Sequence, residues 1–359
     1  MSGWPTSTRQ WRVAQRPTHL PQLTGPDATF EMATVPLPST LHPEQVLLKT
    51  LFLSNDPAPR GWIYKDLEPE RLYATALNQG DLVRARTVSE VLESTSAAFK
   101  PGDLVVSMTG WTDFFIVSSK DVQLAKPLPR GLSPSHHLGF FGVSGLTAWQ
   151  GLVVVAQAKP SDVVVISSAA GAIGSIAVQF AKRYIGCKYV VGIAGSAEKC
   201  EWVVSKLGAD ACLNYNDPNF VADLKQATQG PERAVDVYFD NVGGSTLDLL
   251  LTRMARHGRV AVCGLISMYN QPKTEAYGVK SWFDVVSMRI KLEGFVVYDV
   301  WNRRSEAADL LIKAVEDGTL VVDEQQETVR VASFEEIPKV WLEIFGRSVS
   351  GKLVTKFVG

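Results

Sequence analysis

The stretch from Val163 to Lys182, VVVISSAAGAIGSIAVQFAK, limits the possible folds of this chain more than any other. Val163 to Ser167 is β-branched, apolar and uncharged, the composition of a strand buried on both faces of a parallel sheet. A turn of small residues follows, Ser168-Ala169-Ala170-Gly171-Ala172-Ile173-Gly174. Ile173, Ile176, Ala177, Phe180, Ala181 and Tyr184 then recur at helical spacing. Strand, tight turn and helix in this order open a dinucleotide-binding unit. Gly171 lets the backbone approach a pyrophosphate, and Gly174 lets the helix pack close to the strand. The N–H groups and positive dipole end of that helix face the phosphates. Serine stands where the usual fingerprint has its first glycine. Glycines at this spacing alone also fit a close-packed turn with no ligand; the flanking strand and helix favour the nucleotide.

From Asp162 onward the pattern predicts alternating strands and helices. Strands are expected at 163–167, 189–193, 211–215, 234–240 and 259–264, with helices at 173–184, 197–207, 219–228 and 245–256. Another strand is expected at 290–297 and a helix at 305–317, stopped by Gly318. Repeated βα units predict a doubly wound parallel sheet with helices on both faces. Residues 1–130 differ in texture. Prolines separate short strand-like runs at 30–34, 45–53, 80–91, 103–107 and 113–117, as in an irregular β-barrel-like domain. At 132–155, Ser133 and Pro134 suit a short helix entry and a second helix is expected from Gly145. Strand character returns at 319–331 and 352–358, around an amphipathic helix at 334–345 with a capping box of Ser333 and Glu336. The expected division is therefore 1–131 with 319–359 as one domain, and 132–318 as the dinucleotide-binding domain.

The chain has 359 residues, about two domains at ~150 residues each. A net charge of -1 gives no electrostatic case for nucleic acid or an anionic membrane. No apolar run approaches the ~20 residues of a membrane span, and no apolar signal core opens the chain, so a cytoplasmic protein is expected. Cys187, Cys200, Cys212 and Cys263 form no CxxC pair, and no Cys/His cluster has zinc-ligand spacing. They read as buried small hydrophobes in a reducing compartment.

The second strand ends near the position where an NAD site carries Asp or Glu for the adenine ribose. Here the residues are Ala194-Gly195-Ser196. Without a carboxylate, a ribose phosphate meets no repulsion. Ser196 donates a hydrogen bond and Lys199 supplies positive charge, which favours NADPH over NADH. Outside this context Lys199 would read as a solvated charge on a first helical turn.

The order of parts resembles the medium-chain dehydrogenase/reductase superfamily, and within it the zinc-independent prostaglandin reductases (leukotriene hydroxydehydrogenases) and alkenal double-bond reductases. The resemblance rests on Leu53-Ser54-Asn55-Asp56-Pro57 with Arg60-Gly61, Gly145-Leu146-Thr147-Ala148-Trp149, Asn214-Tyr215 and Asp240-Asn241-Val242-Gly243-Gly244. It rests also on Cys263-Gly264, Met268-Tyr269-Asn270 and Glu293-Gly294-Phe295-Val296-Val297. It implies a GroES-like domain plus a Rossmann domain, with the site in the cleft between them, and usually a homodimer. It implies that Gly171, Ala172, Ile173 and Gly174 hold the pyrophosphate, and that Lys199 and Tyr215 contact the ribose phosphate. Asn241, the segment from Cys263 and Gly264 to Tyr269, and Phe295, Val296 and Val297 would line the nicotinamide side. Ala58 and Pro59 replace the family's tyrosine and methionine, which reshapes the expected substrate pocket. The polar stretch usual in the family is Asp81-Leu82-Val83-Arg84-Ala85-Arg86 here. An expected asparagine is absent from Ser348-Val349-Ser350-Gly351-Lys352.

A zinc alcohol dehydrogenase needs an early Cys or His ligand and often a four-cysteine lobe. Ser54-Asn55-Asp56 stands at the early position, and no cysteine precedes Cys187. Reduction of an activated alkene needs no metal, because hydrogen bonds can stabilise charge on a conjugated oxygen. The expected activity is NADPH-dependent saturation of the C=C bond of an α,β-unsaturated aldehyde or ketone, with Tyr269 or water as proton donor. Asn55 and Asp56 either border the substrate or cap an ordinary turn. A carbonyl or quinone reductase, and a non-catalytic NADPH-binding protein, are the competing readings.

Overall fold

A computed structural model describes residues 4–358 apart from 67, 130 and 347. The chain divides into two compact units: 1–138 with 328–349 and 353–359, and 139–327 with 350–352. Against the expected boundaries, residues 132–138 go with the first unit, and 319–327 and 350–352 with the second. Leu138 packs with Val88 and Val354, which holds the end of the 3-10 turn Pro134–Leu138 to the first unit. Gln179 holds both the N–H and the carbonyl of Val321 (2.8 and 3.0 Å). The Trp202 indole donates to Asp323 (2.8 Å) and Gln326 donates to Ser175 (2.6 Å), which binds 319–327 to the second unit.

The second unit is built on a six-stranded sheet, in the order Ala211–Asn214, Tyr189–Ala194, Val163–Ser167, Val235–Asp240, Met254–Val262, Lys291–Gly294. Every pairing is parallel. Numbered along the chain this is the order 3-2-1-4-5-6 of a doubly wound dinucleotide-binding sheet. The first strand lies in the middle and all five of its residues are buried, which is why it reads as an unbroken apolar run.

Several boundaries differ from expectation. The helix expected at 245–256 spans Gly244–Leu251, and the next strand begins at Met254 rather than 259. A buried Met254 pairs with Val235 across a bulge and draws that segment into the sheet. The helix expected at 173–184 is α-helical over Gly174–Gln179 and widens into a π-helical turn over Phe180–Ile185, closed by Gly186 at φ 79°. The helix expected from Gly145 behaves alike, with Val143–Trp149 followed by a π-turn Gln150–Val155. The strand expected at 290–297 is only Lys291–Gly294, because Asp299 accepts from the Val296 N–H and starts a 3-10 turn. Helix Trp282–Met288 was not expected.

The first unit holds a seven-stranded sheet. Its path runs Glu327–Ala332, Lys352–Phe357, Gln45–Ser54, Thr87–Ser94, Leu104–Ser107, Gln123–Leu124, and Phe114–Ser118 pairs with Gln45–Ser54 off that path. A separate antiparallel pair joins Ser7–Val13, which was not expected, to Phe30–Pro36. The strand expected at 80–91 starts only at Thr87. Residues before it lie outside that sheet: the Val83 N–H donates to the Trp11 carbonyl (3.0 Å) and the Trp111 N–H to the Val83 carbonyl (2.9 Å). The strand expected at 319–331 is Glu327–Ala332, since 319–326 is held by the second unit. The capping box of Ser333 and Glu336 forms, and the helix it starts is a 3-10 turn leading into Ile337–Leu342. Trp111, Phe30 and Trp341 meet at 5.0–5.8 Å between ring centroids and centre the core.

Candidate functional site

In the second unit, the residues singled out from sequence lie at or just beyond the carboxyl ends of the parallel strands. Open α/β sheets bind ligands there, at the point where strand order reverses. That point lies between Ser167 and Asp240. Ser168 follows with φ 51°, a left-handed conformation taken by the residue that replaces the first fingerprint glycine. A methyl on Gly171 would lie 2.7 Å from Ser168 Oγ, and one on Gly174 only 2.1 Å from the Ser168 carbonyl oxygen. Gly174 is closed to any side chain by backbone, while a side chain at Gly171 would have to displace the Ser168 hydroxyl. Residues 350–352 lie against it: Gly351 bridges Gly171 and donates to the Ala170 carbonyl (2.8 Å). The sequence shows in this segment only the absence of an expected asparagine, since its packing on a distant turn has no local signal.

The ribose turn follows the second strand. Ser196 caps helix Ala197–Ser205, accepting from the Lys199 N–H (3.2 Å). Tyr215 lies against Gly195, whose added methyl would be 2.9 Å from the phenol oxygen. Asn216, which sequence reading passed over, donates to the Gly195 carbonyl (2.8 Å). The first carboxylate on this turn, Glu198, is fully exposed. It folds back on its own backbone and on Ser196, and these hydrogen bonds keep it ionised below the usual carboxylate range. Lys199 is half-buried, and desolvation lowers its ammonium from the ordinary value.

Asp240 organises the switch point. It is wholly buried. Its Oδ1 accepts from Tyr238 Oη (2.7 Å), the N–H groups of Val242 (3.0 Å) and Gly243 (2.9 Å), and Ser167 Oγ (3.3 Å). Burial raises its carboxyl above the usual range against these donors. Asn241 brackets the two central strands: its N–H donates to Ser167 Oγ (2.9 Å) and its Nδ2 to the Ser167 carbonyl (2.7 Å). The N–H groups of Cys263 and Gly264 both donate to the Asp240 carbonyl (2.8 and 3.1 Å). Burial, with the Asp240 charge second, pushes the Cys263 thiol up to about 12, so it is a neutral thiol.

Tyr269 returns over this loop. Its oxygen accepts from the Leu265 N–H (3.3 Å) and lies 3.5 Å from where a Gly264 methyl would be. Burial raises the phenol above its ordinary value, so its proton stays in place at neutral pH. Phe295 is set edge-on to Phe239 (6.1 Å, 84°). The Val296 carbonyl accepts from Gln150 Nε2 (3.0 Å), and Val297 opens the 3-10 turn.

Asn55 and Asp56 belong to the first unit. Asn55 is 2% exposed. Its Nδ2 donates to Thr355 Oγ1 (3.0 Å) and its N–H to the Leu353 carbonyl (3.1 Å), which ties the end of one strand to another. Asp56 accepts from Ser54 Oγ (2.5 Å), and its carbonyl from the Trp341 indole (2.7 Å). Among the described residues no three His, Cys, Asp or Glu side chains gather as a metal site would require, and no helix is long and apolar enough to cross a membrane.

A 3-2-1-4-5-6 sheet with a glycine turn at its switch point defines a dinucleotide-binding α/β protein. Comparison with known proteins narrows the class. Residues 172–313 match the zinc-binding dehydrogenase family and residues 9–125 the N-terminal domain of oxidoreductase. The chain is 35% identical over 331 residues to the NADP(+)-dependent 2-alkenal reductase of Nicotiana tabacum, covering 91% of this chain and 92% of that protein. It is 36% identical over 334 residues to prostaglandin reductase 1 of Bos taurus, covering 92% and 94%. The crystal structure of CurA from Vibrio vulnificus in complex with NADPH superposes with a TM-score of 0.86 at 29% identity, covering 98% of this chain and 99% of that one. The chain belongs to the medium-chain dehydrogenase/reductase family, in the zinc-independent branch of the alkenal and prostaglandin reductases, and is an oxidoreductase.

Proposed function

We propose that this protein is an NADPH-dependent reductase that saturates the C=C bond of α,β-unsaturated aldehydes or ketones. The observation that carries the coenzyme is the ribose turn Ala194-Gly195-Ser196, where no carboxylate ends the strand and Lys199 stands one helical turn on. NADP-dependence in the tobacco relative and NADPH in the Vibrio structure support the same choice. The reaction class is supported by the 2-alkenal reductase and by the NADPH-dependent curcumin reductase of Escherichia coli, 33% identical over 299 residues.

The residues present fit the coenzyme, since a tight turn with glycines at 171 and 174 joins the central strand to a helix N-terminus at the switch point. In this reading the turn from Gly171 to Gly174 holds the pyrophosphate, while Ser196, Lys199 and Tyr215 hold the ribose phosphate. Asn241, Cys263, Gly264 and the segment Phe295–Val297 line the nicotinamide side. Bound NADPH supplies the hydride equivalent that the β-carbon takes up. Tyr269 keeps a proton on its phenol oxygen and gives it to the α-carbon, directly or through water. The Leu265 N–H orients that oxygen and favours the phenolate left behind. Asn55 and Asp56 are retained in this reading as substrate residues, their turn fixed by the Asn55 hydrogen bonds to Thr355 and Leu353.

An NADPH-oxidation screen over enals, enones, quinones and simple ketones, with products identified, tests this. Saturated aldehydes or ketones are expected. Alcohols from simple ketones, or hydroquinones as the main product, would replace this reading with the carbonyl or quinone reductase. Binding of NADPH with no oxidation across the panel would remove the enzyme reading.

A further inference from the structure

Two cysteines outside the proposed chemistry meet beside the ribose turn. Cys200 lies in the first turn of helix Ala197–Ser205, directly after Lys199, and Cys212 on edge strand Ala211–Asn214. In that strand Cys212 stands opposite Gly192. A methyl on Gly192 would lie 3.1 Å from Cys212 Sγ and 2.8 Å from Val203 Cγ1, so the Cys212 sulfur faces the helix that carries Val203. Cys200 is three residues before Val203 and thus on the same helix face. Each thiol acts on the other's ionisation, lowering Cys200 and raising Cys212. Both are partly exposed and neither is in a disulfide.

We propose that Cys200 and Cys212 form an oxidisable dithiol that hydrogen peroxide converts to a disulfide beside the ribose turn. The Cys200 thiolate attacks one peroxide oxygen; an S–O bond forms, the O–O bond breaks, and hydroxide leaves and takes a proton as water. The Cys212 sulfur then attacks the sulfenic sulfur; an S–S bond forms, the S–O bond breaks, and a second water leaves. Two thiols are oxidised and one peroxide is reduced to two waters. The order follows from the surroundings. Cys212 lowers the Cys200 thiol, and the helix N-terminus favours its thiolate. Contact with Cys200 and burial raise Cys212. Burial pushes Cys187 and Cys263 up to about 12, which leaves them as unreactive thiols.

A disulfide holds its sulfurs about 2.05 Å apart, closer than any thiol hydrogen bond. Closing it therefore draws the first helical turn, with Ser196 and Lys199, toward the edge strand. On the NADPH reading, on which this consequence rests, affinity for a 2′-phosphate falls on the order of tenfold, the loss expected from misplacing one charge-assisted hydrogen bond.

The full-length reduced protein is treated with hydrogen peroxide, remaining thiols are alkylated, and peptides are mapped without reduction. One cross-linked pair containing Cys200 and Cys212 is expected, with Cys187 and Cys263 alkylated. In Cys212→Ser, a sulfenic acid trappable by dimedone is expected at Cys200. Alkylation of both Cys200 and Cys212 after peroxide, or overoxidation of Cys200 without a cross-link, overturns the proposal. Binding of adenosine 2′,5′-bisphosphate is then measured on both forms. Weaker binding after oxidation, restored by dithiothreitol, supports the consequence; equal affinity in a cross-linked sample overturns it. Failure of the reduced protein to bind counts against the NADPH reading alone, because the peptide map stands independently of it.

Discussion

In the proposed function Lys199 acts through charge and Tyr269 through a held proton, and the two roles separate experimentally. A partly desolvated ammonium facing a ribose phosphate makes a charge-assisted contact that contributes roughly 1.5–3 kcal/mol. Lys199→Ala should therefore weaken NADPH binding by about 10–100-fold and leave NADH binding nearly unchanged, as titration with each coenzyme would read. Equal losses for both would place Lys199 outside the phosphate contact. Tyr269→Phe should slow single-turnover reduction by about a hundredfold, in the usual range for general acids; an undiminished rate removes Tyr269 as proton donor. Because burial raises the phenol, the donor stays protonated below its raised value and is lost only above it. The single-turnover rate should stay level up to about pH 10, the ordinary tyrosine value, and fall beyond. Residues of this kind can be proposed from the sequence because each follows the end of a recognisable strand. Asn216 and Asp240 were not read as site residues, since their work is hydrogen bonding across elements, which leaves no mark in local pattern.

At the scale of elements, the switch point depends on Asp240. Its folded pKa is raised by burial above an unfolded value of about 3.9. The folded protein thus binds the proton more tightly than the unfolded chain, and this group's contribution to stability falls as pH rises from about 4 through the raised value. Asp240→Asn keeps an acceptor for the N–H groups of Val242 and Gly243 and removes the buried charge. Its Tm relative to the parent should therefore climb between pH 4 and pH 7. Asp240→Ala leaves Tyr238 Oη and two backbone N–H groups without their acceptor and should cost about 3 kcal/mol in urea unfolding. An Asn variant whose relative Tm falls over that range would contradict this account. Central strands were the most readable elements, because burial on both faces leaves a continuous apolar run. Edges and helix ends were the least. Residues 252–256 fall within the helix expected from sequence, yet Met254 is drawn into the sheet by its pairing with Val235. The short strand Lys291–Gly294 ends just before Asp299 takes the Val296 N–H, a cap that periodicity does not reveal.

For the whole molecule, both architectures were legible, one from proline-punctuated short strands and the other from βα repetition. Their seams were less so. Segments 319–327 and 350–352 join the second unit through single side chains and one glycine bridge, contacts made at long range in sequence. Among the described residues, edge strand Lys291–Gly294 has a neighbour on one side only. On helix Trp282–Met288, just before it, Trp282, Phe283 and Val286 are 57%, 79% and 73% exposed. Such an edge beside an apolar face suits pairing with a second copy. A dimer is expected in sedimentation, shifted toward monomer by Phe283→Lys; a monomeric parent would contradict it. The most direct test of the central claim uses NADPH deuterated at the transferring position with a simple enone, and locates the label in the product by NMR. Deuterium on the β-carbon of a saturated ketone with its carbonyl intact is the predicted result. Deuterium on the carbinol carbon of an allylic alcohol would contradict the account.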